Sequence, residues 1–295
     1  MLALVNQFLD YLTLERGLSK NTRQAYAFDL KQFAAFLDKQ GIQSLNALTR
    51  KDIQAFLMAE KKRGLAGTSM ARALVAIKVF FRYLLQEGLL NLDVTETMES
   101  PTLWKSLPTS LTMKETERLL ETPDTSKPLG IRDRALLETF YGTGMRVSEL
   151  AALTLDDLHF DSGYIRCMGK GRKERVIPIG KTAQRAITEY LERIRPIHLK
   201  EATCRQIFLT RSGKPFSRSG LLKLVKTYSH KAGLAKNVHP HTLRHTFATH
   251  LLSNEAPLRV IQEMLGHADI GTTQIYTHVD STRLKNIHHK YHPRS

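Results

Sequence analysis

The sequence predicts a mainly α-helical chain of two domains, the second carrying a small β-hairpin or three-stranded sheet. Three observations lead there. Apolar residues recur at helical spacing along four successive stretches before residue 88. That periodicity lapses over 89–110 and resumes at Thr112. The only convincing β signals lie at Gly163–Met168 and Glu174–Ile179, flanking a Gly169-Lys-Gly-Arg-Lys173 turn, with Gln206–Leu209 as a candidate third strand.

In the front domain, 1–88, Leu2, Val5, Phe8, Leu9 and Leu12 form the stripe of a first helix that ends at Gly17. Ser19 can cap a second, in which Tyr26, Leu30, Phe33 and Leu37 step by four, three and four before Gly41. Thr49 followed by Asp52 reads as a capping box for a third, closed by Gly64. Ser69 opens the fourth, with Leu74, Ile77, Phe81 and Leu84 inward and Gly88 at its end. Residues 89–110, with Pro101 and Pro108, read as a linker. The larger domain, 111–295, starts with a helix at Thr112 and Glu115 and a second over about 130–141 that stops at Gly142-Thr-Gly144. A helix opens at Arg146, and others are expected at about 181–195, 217–232, from Pro240, at Pro257–Leu265 and ending near Tyr276. Residues 281–295 form a basic, His-rich tail or short helix.

Composition narrows the class of partner. Lys plus Arg number 44 against 28 Asp plus Glu, a formal net charge of +16. Such self-repulsion is most simply accounted for by a polyanionic partner, and the interleaved basic residues of the front helices suit a phosphate-contacting face. A hydrophobic share of 42% argues against wholesale disorder. Cys167 and Cys204 are isolated, which speaks for reduced thiols rather than a disulfide framework or zinc site. The amphipathic start lacks the basic region and unbroken apolar core of a signal peptide, and no run approaches a membrane span. A soluble, cytoplasmic protein is expected.

Chemistry concentrates in a few short segments. The stretch His239-Pro-His-Thr-Leu-Arg-His245 places His241 and Arg244 in one turn at a helix start, where Pro240 is tolerated and an anion is readily held. Arg146 follows a Gly-x-Gly turn, Lys170 lies at the hairpin tip, His267 follows Leu265-Gly266, and Tyr276 comes nine residues later. Each alone is more often structural than functional: a lone His or a helical Tyr usually belongs to a core. Together, two guanidiniums, an ammonium, two imidazoles and a phenol suit attack on a phosphodiester. Rival readings fail on spacing. His241 and His245 lack the Glu of a zinc protease at Thr242, and Gly169-Lys-Gly lacks the remaining residues of a P-loop.

On Gly142-Thr-Gly-Met-Arg-Val-Ser-Glu-Leu150, Gly169-Lys-Gly-Arg-Lys-Glu-Arg175, His241-Thr-Leu-Arg-His245, Leu265-Gly-His267 and Thr272-Thr-Gln-Ile-Tyr-Thr-His278, the chain resembles the tyrosine recombinases, or phage integrase family. The likeness covers nearly the whole chain, including Asn21-Thr-Arg-Gln-Ala-Tyr26 of the front domain, and is greatest to the bacterial Xer recombinases. It implies a four-helix SAM-like core-binding domain ahead of a tyrosine recombinase catalytic domain.

The resemblance also implies roles. Tyr276 attacks a DNA phosphate to give a 3′-phosphotyrosyl link and a free 5′-hydroxyl. Arg146 and Arg244 fork onto the non-bridging oxygens. Lys170 protonates the leaving oxygen, His241 assists proton transfer toward Tyr276, His267 hydrogen-bonds the phosphate, and Glu149 orients a neighbouring side chain. With these cations in place no metal or other cofactor is required. The implied partners are duplex DNA with a dif-like site, a sister Xer recombinase in a cyclic heterotetramer, and a septal DNA translocase, with the tail after Tyr276 docking on a neighbouring protomer. Other readings are a mobile-element integrase or plasmid resolvase, a type IB topoisomerase, and a catalytically silent DNA-binding protein.

Overall fold

The computed structural model describes residues 1–14, 18, 20–42, 44–99, 110–168, 174–236, 238–266 and 278–295. The chain divides into two compact units, Met1–Lys105 and Ser106–Ser295, each with its own core.

The first unit is four helices: α1 (Leu2–Leu14), α2 (Lys20–Lys39), α3 (Arg50–Lys62) and α4 (Gly67–Gln86). The expected stripes meet in one cluster, with Val5, Phe8, Leu30, Phe33, Ile53, Phe56, Ile77, Phe80 and Phe81 buried. The start of α3 is fixed as its sequence predicts, since the Asp52 carboxylate accepts from the Thr49 backbone N–H at 2.9 Å and from its hydroxyl at 2.6 Å. Residues 89–99, read from sequence as linker, instead fold back in turns. Leu90 and Met98 are buried in this core, and the Met98 carbonyl accepts from Lys78 at 2.8 Å.

The second unit opens with α5 (Met113–Glu121), capped by a Thr112–Glu115 box in which the Glu115 carboxylate also takes an ion pair from Lys236 at 2.8 Å. Next come α6 (Pro128–Thr143) and α7 (Val147–Ala152). An antiparallel sheet follows in the order β1 (Leu158–His159), β2 (Tyr164–Met168), β3 (Glu174–Pro178). Its third strand is therefore not Gln206–Leu209. That segment only makes isolated bridges, from Gln206 to Thr154 and from Leu209 to Pro215, because its backbone is drawn into the helical core. There Arg195 and Tyr190 bind the carbonyls of Gln206 and Ile207. Helices α8 (Lys181–Arg193), α9 (Arg195–His198), α10 (Arg218–Lys231), α11 (Pro240–Ser253), α12 (Leu258–Leu265) and α13 (His278–Tyr291) complete it. No helix among the described residues is long and apolar enough to cross a membrane.

Helix α6 is buried nearly all round and forms the axis of this unit. Leu243, Phe247 and Leu251 of α11 turn inward as their spacing predicts, but Leu252 is exposed. Nine residues on from Leu243, at about 100° each, it lies on the opposite side of the helix. The C-terminal segment is seated on its own unit. Leu284 is buried with Phe247 and Leu251, His288 Nε2 donates to the Gly142 carbonyl at 2.9 Å, and Arg294 pairs with Glu138 at 2.6 Å. His288 and His292 stack at 4.6 Å between centroids.

Gly144 ends α6 with φ of +57°, and a Cβ there would lie 2.4 Å from Phe247 Cδ1. Both the left-handed backbone and the close approach demand glycine. Gly144→Ala is expected to cost about 2 kcal/mol or more in denaturant unfolding; an unchanged midpoint would show that Phe247 yields freely.

Candidate active site

Arg146 stands at the N-cap of α7, two residues after the α6 C-cap at Gly144. Glu149, on the first turn of α7, accepts from the Arg146 backbone N–H at 2.7 Å and from its Nη1 at 2.9 Å. The carboxylate thus caps the helix and orients the guanidinium, as the i, i+3 spacing anticipates. Arg146 Nη2 crosses to the Gly266 carbonyl at 2.9 Å, while the side chain stays 36% exposed.

Arg244 comes from the first turn of α11. It donates through Nη1 to the Gly144 carbonyl at 2.7 Å and through Nη2 to the Leu265 carbonyl at 2.5 Å. The two arginines predicted from sequence therefore meet at one place, where the ends of α6 and α12 face the starts of α7 and α11. Burial, with Arg146 and Arg175 nearby, pulls Arg244 down to about 10, so it stays charged at neutral pH.

His241 shares that turn with Arg244. His239 caps α11, its Nδ1 accepting from the Thr242 N–H at 3.2 Å. Burial and the neighbouring His239, Arg244, Arg218 and Arg146 hold His241 below the ordinary imidazole range. The shift favours the neutral form, the one that can accept a proton.

A residue absent from the sequence-based set completes the cluster. Arg175 of β3 is 5% exposed. Its Nη1 and Nη2 donate to both Glu149 oxygens at 2.7 Å each, and its Nε donates to the Met264 carbonyl at 3.1 Å. The strand pattern held a signal for it, because Arg175 shares the inward phase with Ile177 and Ile179. Cys167, its cross-strand partner, is buried, and its thiol is pushed up to about 12 chiefly by burial, leaving it inert at neutral pH.

The final carbonyls of α12 are the common anchor: Met264 accepts from Arg175, Leu265 from Arg244 and Gly266 from Arg146. A helix C-terminus leaves such carbonyls without intrahelical partners and carries partial negative charge, so it attracts guanidiniums. Lys170, His267 and Tyr276 lie outside the described residues. Lys170 belongs to the segment directly before β3, and His267 follows Gly266 in the chain.

Burial alone would raise Glu149, yet the hydrogen bonds and charge of Arg175 and Arg146 hold it at about 2. A carboxylate lowered on folding stabilises the fold above its unfolded value, near 4.3, and loses that contribution as pH falls toward 2. Glu149→Gln is expected to destabilise by about 3 kcal/mol at pH 7. It should also flatten the loss of stability between pH ~4.5 and ~2 that wild type shows in denaturant titrations; an acid limb of unchanged depth would place the titration elsewhere.

Comparison with known proteins gives the family. Residues 109–283 match the phage integrase family, and residues 5–88 match the phage integrase N-terminal SAM-like domain. A tyrosine recombinase XerD of Listeria monocytogenes serotype 4b (strain F2365) is 45% identical over 295 residues, covering 99% of each chain. One from Halalkalibacterium halodurans is 46% identical over 292 residues, covering 99% of this chain and 98% of the relative. Among solved structures, XerH bound to a palindromic difH substrate in a post-cleavage complex aligns with a TM-score of 0.72 at 26% identity, covering 96% of this chain and 83% of that one. A lambda integrase dimer on a COC′ core site shares the fold, with a TM-score of 0.71 at 19% identity over 93% and 98% of the chains. The chain belongs to the phage integrase family, the tyrosine recombinases, which break and rejoin DNA.

Proposed function

We propose that this recombinase resolves chromosome dimers at a dif-like site, acting with a sister Xer recombinase in a cyclic heterotetramer and activated by a septal DNA translocase. The observation that carries the catalytic part is the convergence of Arg146 and Arg244 on the end of α12, with His241 three residues before Arg244 on the same helix. Two guanidiniums so placed fork onto the non-bridging oxygens of a phosphodiester, where negative charge grows as the phosphorus is attacked. Lysine at either position would supply a point charge without the fork.

In the proposed reaction the Tyr276 oxygen attacks phosphorus while His241 takes the phenolic proton. The bond to the 5′-oxygen breaks, and that oxygen receives a proton from Lys170. His267 hydrogen-bonds the phosphate. The 3′-phosphotyrosyl bond conserves the energy of the broken ester, so a 5′-hydroxyl from the partner strand reverses the step without a nucleotide cofactor. The full set comprises Arg146, Lys170, His241, Arg244, His267 and Tyr276. The likeness to proteins named XerD and to an Xer enzyme solved on its difH substrate supports the choice of a dif-like target.

Tyr276→Phe is expected to bind the site like wild type yet give no covalent adduct on a nicked suicide substrate, read by denaturing electrophoresis. A wild-type adduct would remove Tyr276 as nucleophile. The excess of basic residues, 44 against 28 acidic, implies a mainly electrostatic grip on the duplex. For about six phosphate contacts, affinity should fall on the order of 10³-fold between 50 and 200 mM salt. A slope near zero in a filter-binding titration would rule that grip out.

A further inference from the structure

We infer that Arg175 is a positioning residue for DNA cleavage: by taking the charge of Glu149 and holding the end of α12, it leaves the Arg146 guanidinium free to serve the scissile phosphate. The inference deepens the proposed site and rests on Arg146 binding that phosphate.

Three features of the cluster lead to it. First, Glu149 is the carboxylate on which Arg146 and Arg175 converge, and it is nearly buried. A carboxylate in that place must be neutralised by whichever cation is nearest, since solvent does not reach it. Arg175 meets it with two parallel N–H···O bonds of 2.7 Å, whereas Arg146 gives one side-chain bond of 2.9 Å. The bidentate pair carries the stronger interaction. Arg146 is left with one donor on Glu149, one on Gly266 and a third of its side chain exposed. Without Arg175, Glu149 would claim Arg146 entirely, and the site would lose a positive charge to an internal ion pair.

Second, the third Arg175 bond, Nε to the Met264 carbonyl, ties β3 to the end of α12. The next two carbonyls are those that receive Arg244 and Arg146. A shift of this helix end therefore displaces both phosphate-binding arginines together. Gly266 is shaped around the same side chain: it has φ of +65°, and a Cβ would lie 2.9 Å from Arg175 Cδ.

Third, Arg175 has little access to solvent, so it is not placed to touch DNA itself. Lysine cannot replace it, having no second N–H in the plane of the carboxylate and no Nε for Met264.

The test measures cleavage of a suicide substrate at saturating DNA for wild type, Arg146→Ala, Arg175→Met, Arg175→Lys and the pair Glu149→Gln with Arg175→Met. DNA affinity and thermal unfolding are measured alongside. Arg175→Met and Arg175→Lys should bind DNA within about threefold of wild type and cleave roughly 100-fold more slowly, the scale of a misplaced catalytic group. The double variant, which removes the buried charges as a pair, should recover at least ~10-fold of the single variant's loss. A role in stability alone predicts no such recovery of the cleavage step once each protein is folded and saturated. Wild-type cleavage by Arg175→Met, or a double variant no faster than the single, overturns the inference. Should Arg175→Met fail to fold, the double variant decides: cleavage within about 10-fold of wild type supports the inference and a loss beyond about 100-fold overturns it. Wild-type cleavage by Arg146→Ala would instead refute the phosphate-binding role on which the inference rests.

Discussion

The pairing of Glu149 with Arg175 is the interaction on which the site depends. Three guanidiniums, those of Arg146, Arg175 and Arg244, are held in one neighbourhood, and their mutual repulsion is felt at Arg244, which burial and the other two pull down to about 10. One buried carboxylate and three successive backbone carbonyls oppose that repulsion. Counting formal charges, three arginines less one glutamate leave two positive charges in excess. In the proposed reaction a phosphodiester brings one negative charge and its trigonal-bipyramidal transition state more, so the surplus would be best matched as the reaction proceeds. A cluster neutralised completely in the free protein would have nothing left to offer the substrate.

The fold makes this arrangement from helix ends rather than helix faces. Chain reversals at Gly144 and Gly266, both with positive φ, end α6 and α12 at the site. The carbonyls they release are met by arginines at the beginnings of α7 and α11. Each end lacks hydrogen bonds that the other supplies, so termini that would otherwise require water can lie beneath the surface. Behind them, the all-round burial of α6 keeps the frame fixed. Positions set in this way do not depend on the conformational freedom of long loops.

Much of this was legible in the sequence where a local rule governs. Thr49 with Asp52 and Thr112 with Glu115 were readable as capping boxes because the partners are three residues apart. Arg146 and Glu149, and His241 and Arg244, were readable for the same reason. Arg175 was overlooked because its function is non-local: Glu149 is 26 residues away and Met264 is 89. It also sits at the end of a run of basic residues, where a charge ordinarily means a solvated turn. Only the two-residue phase shared with Ile177 and Ile179 marked it as inward. The false third strand has a related cause. Ile207, Phe208 and Leu209 have strand-like composition, but Tyr190 and Arg195 capture that backbone, leaving only isolated bridges.

In the proposed assembly the C-terminal segment would connect one molecule to the next. In the single chain it is not a loose arm, since Leu284, His288 and His292 are buried and Arg294 pairs with Glu138. It packs against Gly142 and Tyr141 of α6 and Phe247 of α11, the helix that also carries Arg244. Docking on a neighbouring protomer would therefore exchange equivalent contacts rather than create a new interface. Exchange of an identical element between copies loses few contacts overall, its main cost being the opening of the connecting chain. The opening would break a half-buried Arg294–Glu138 pair and expose two stacked imidazoles that burial keeps neutral. In the proposed assembly that barrier would keep each chain closed on itself until DNA brought several copies together, where the high local concentration of equivalent seats would make exchange favourable.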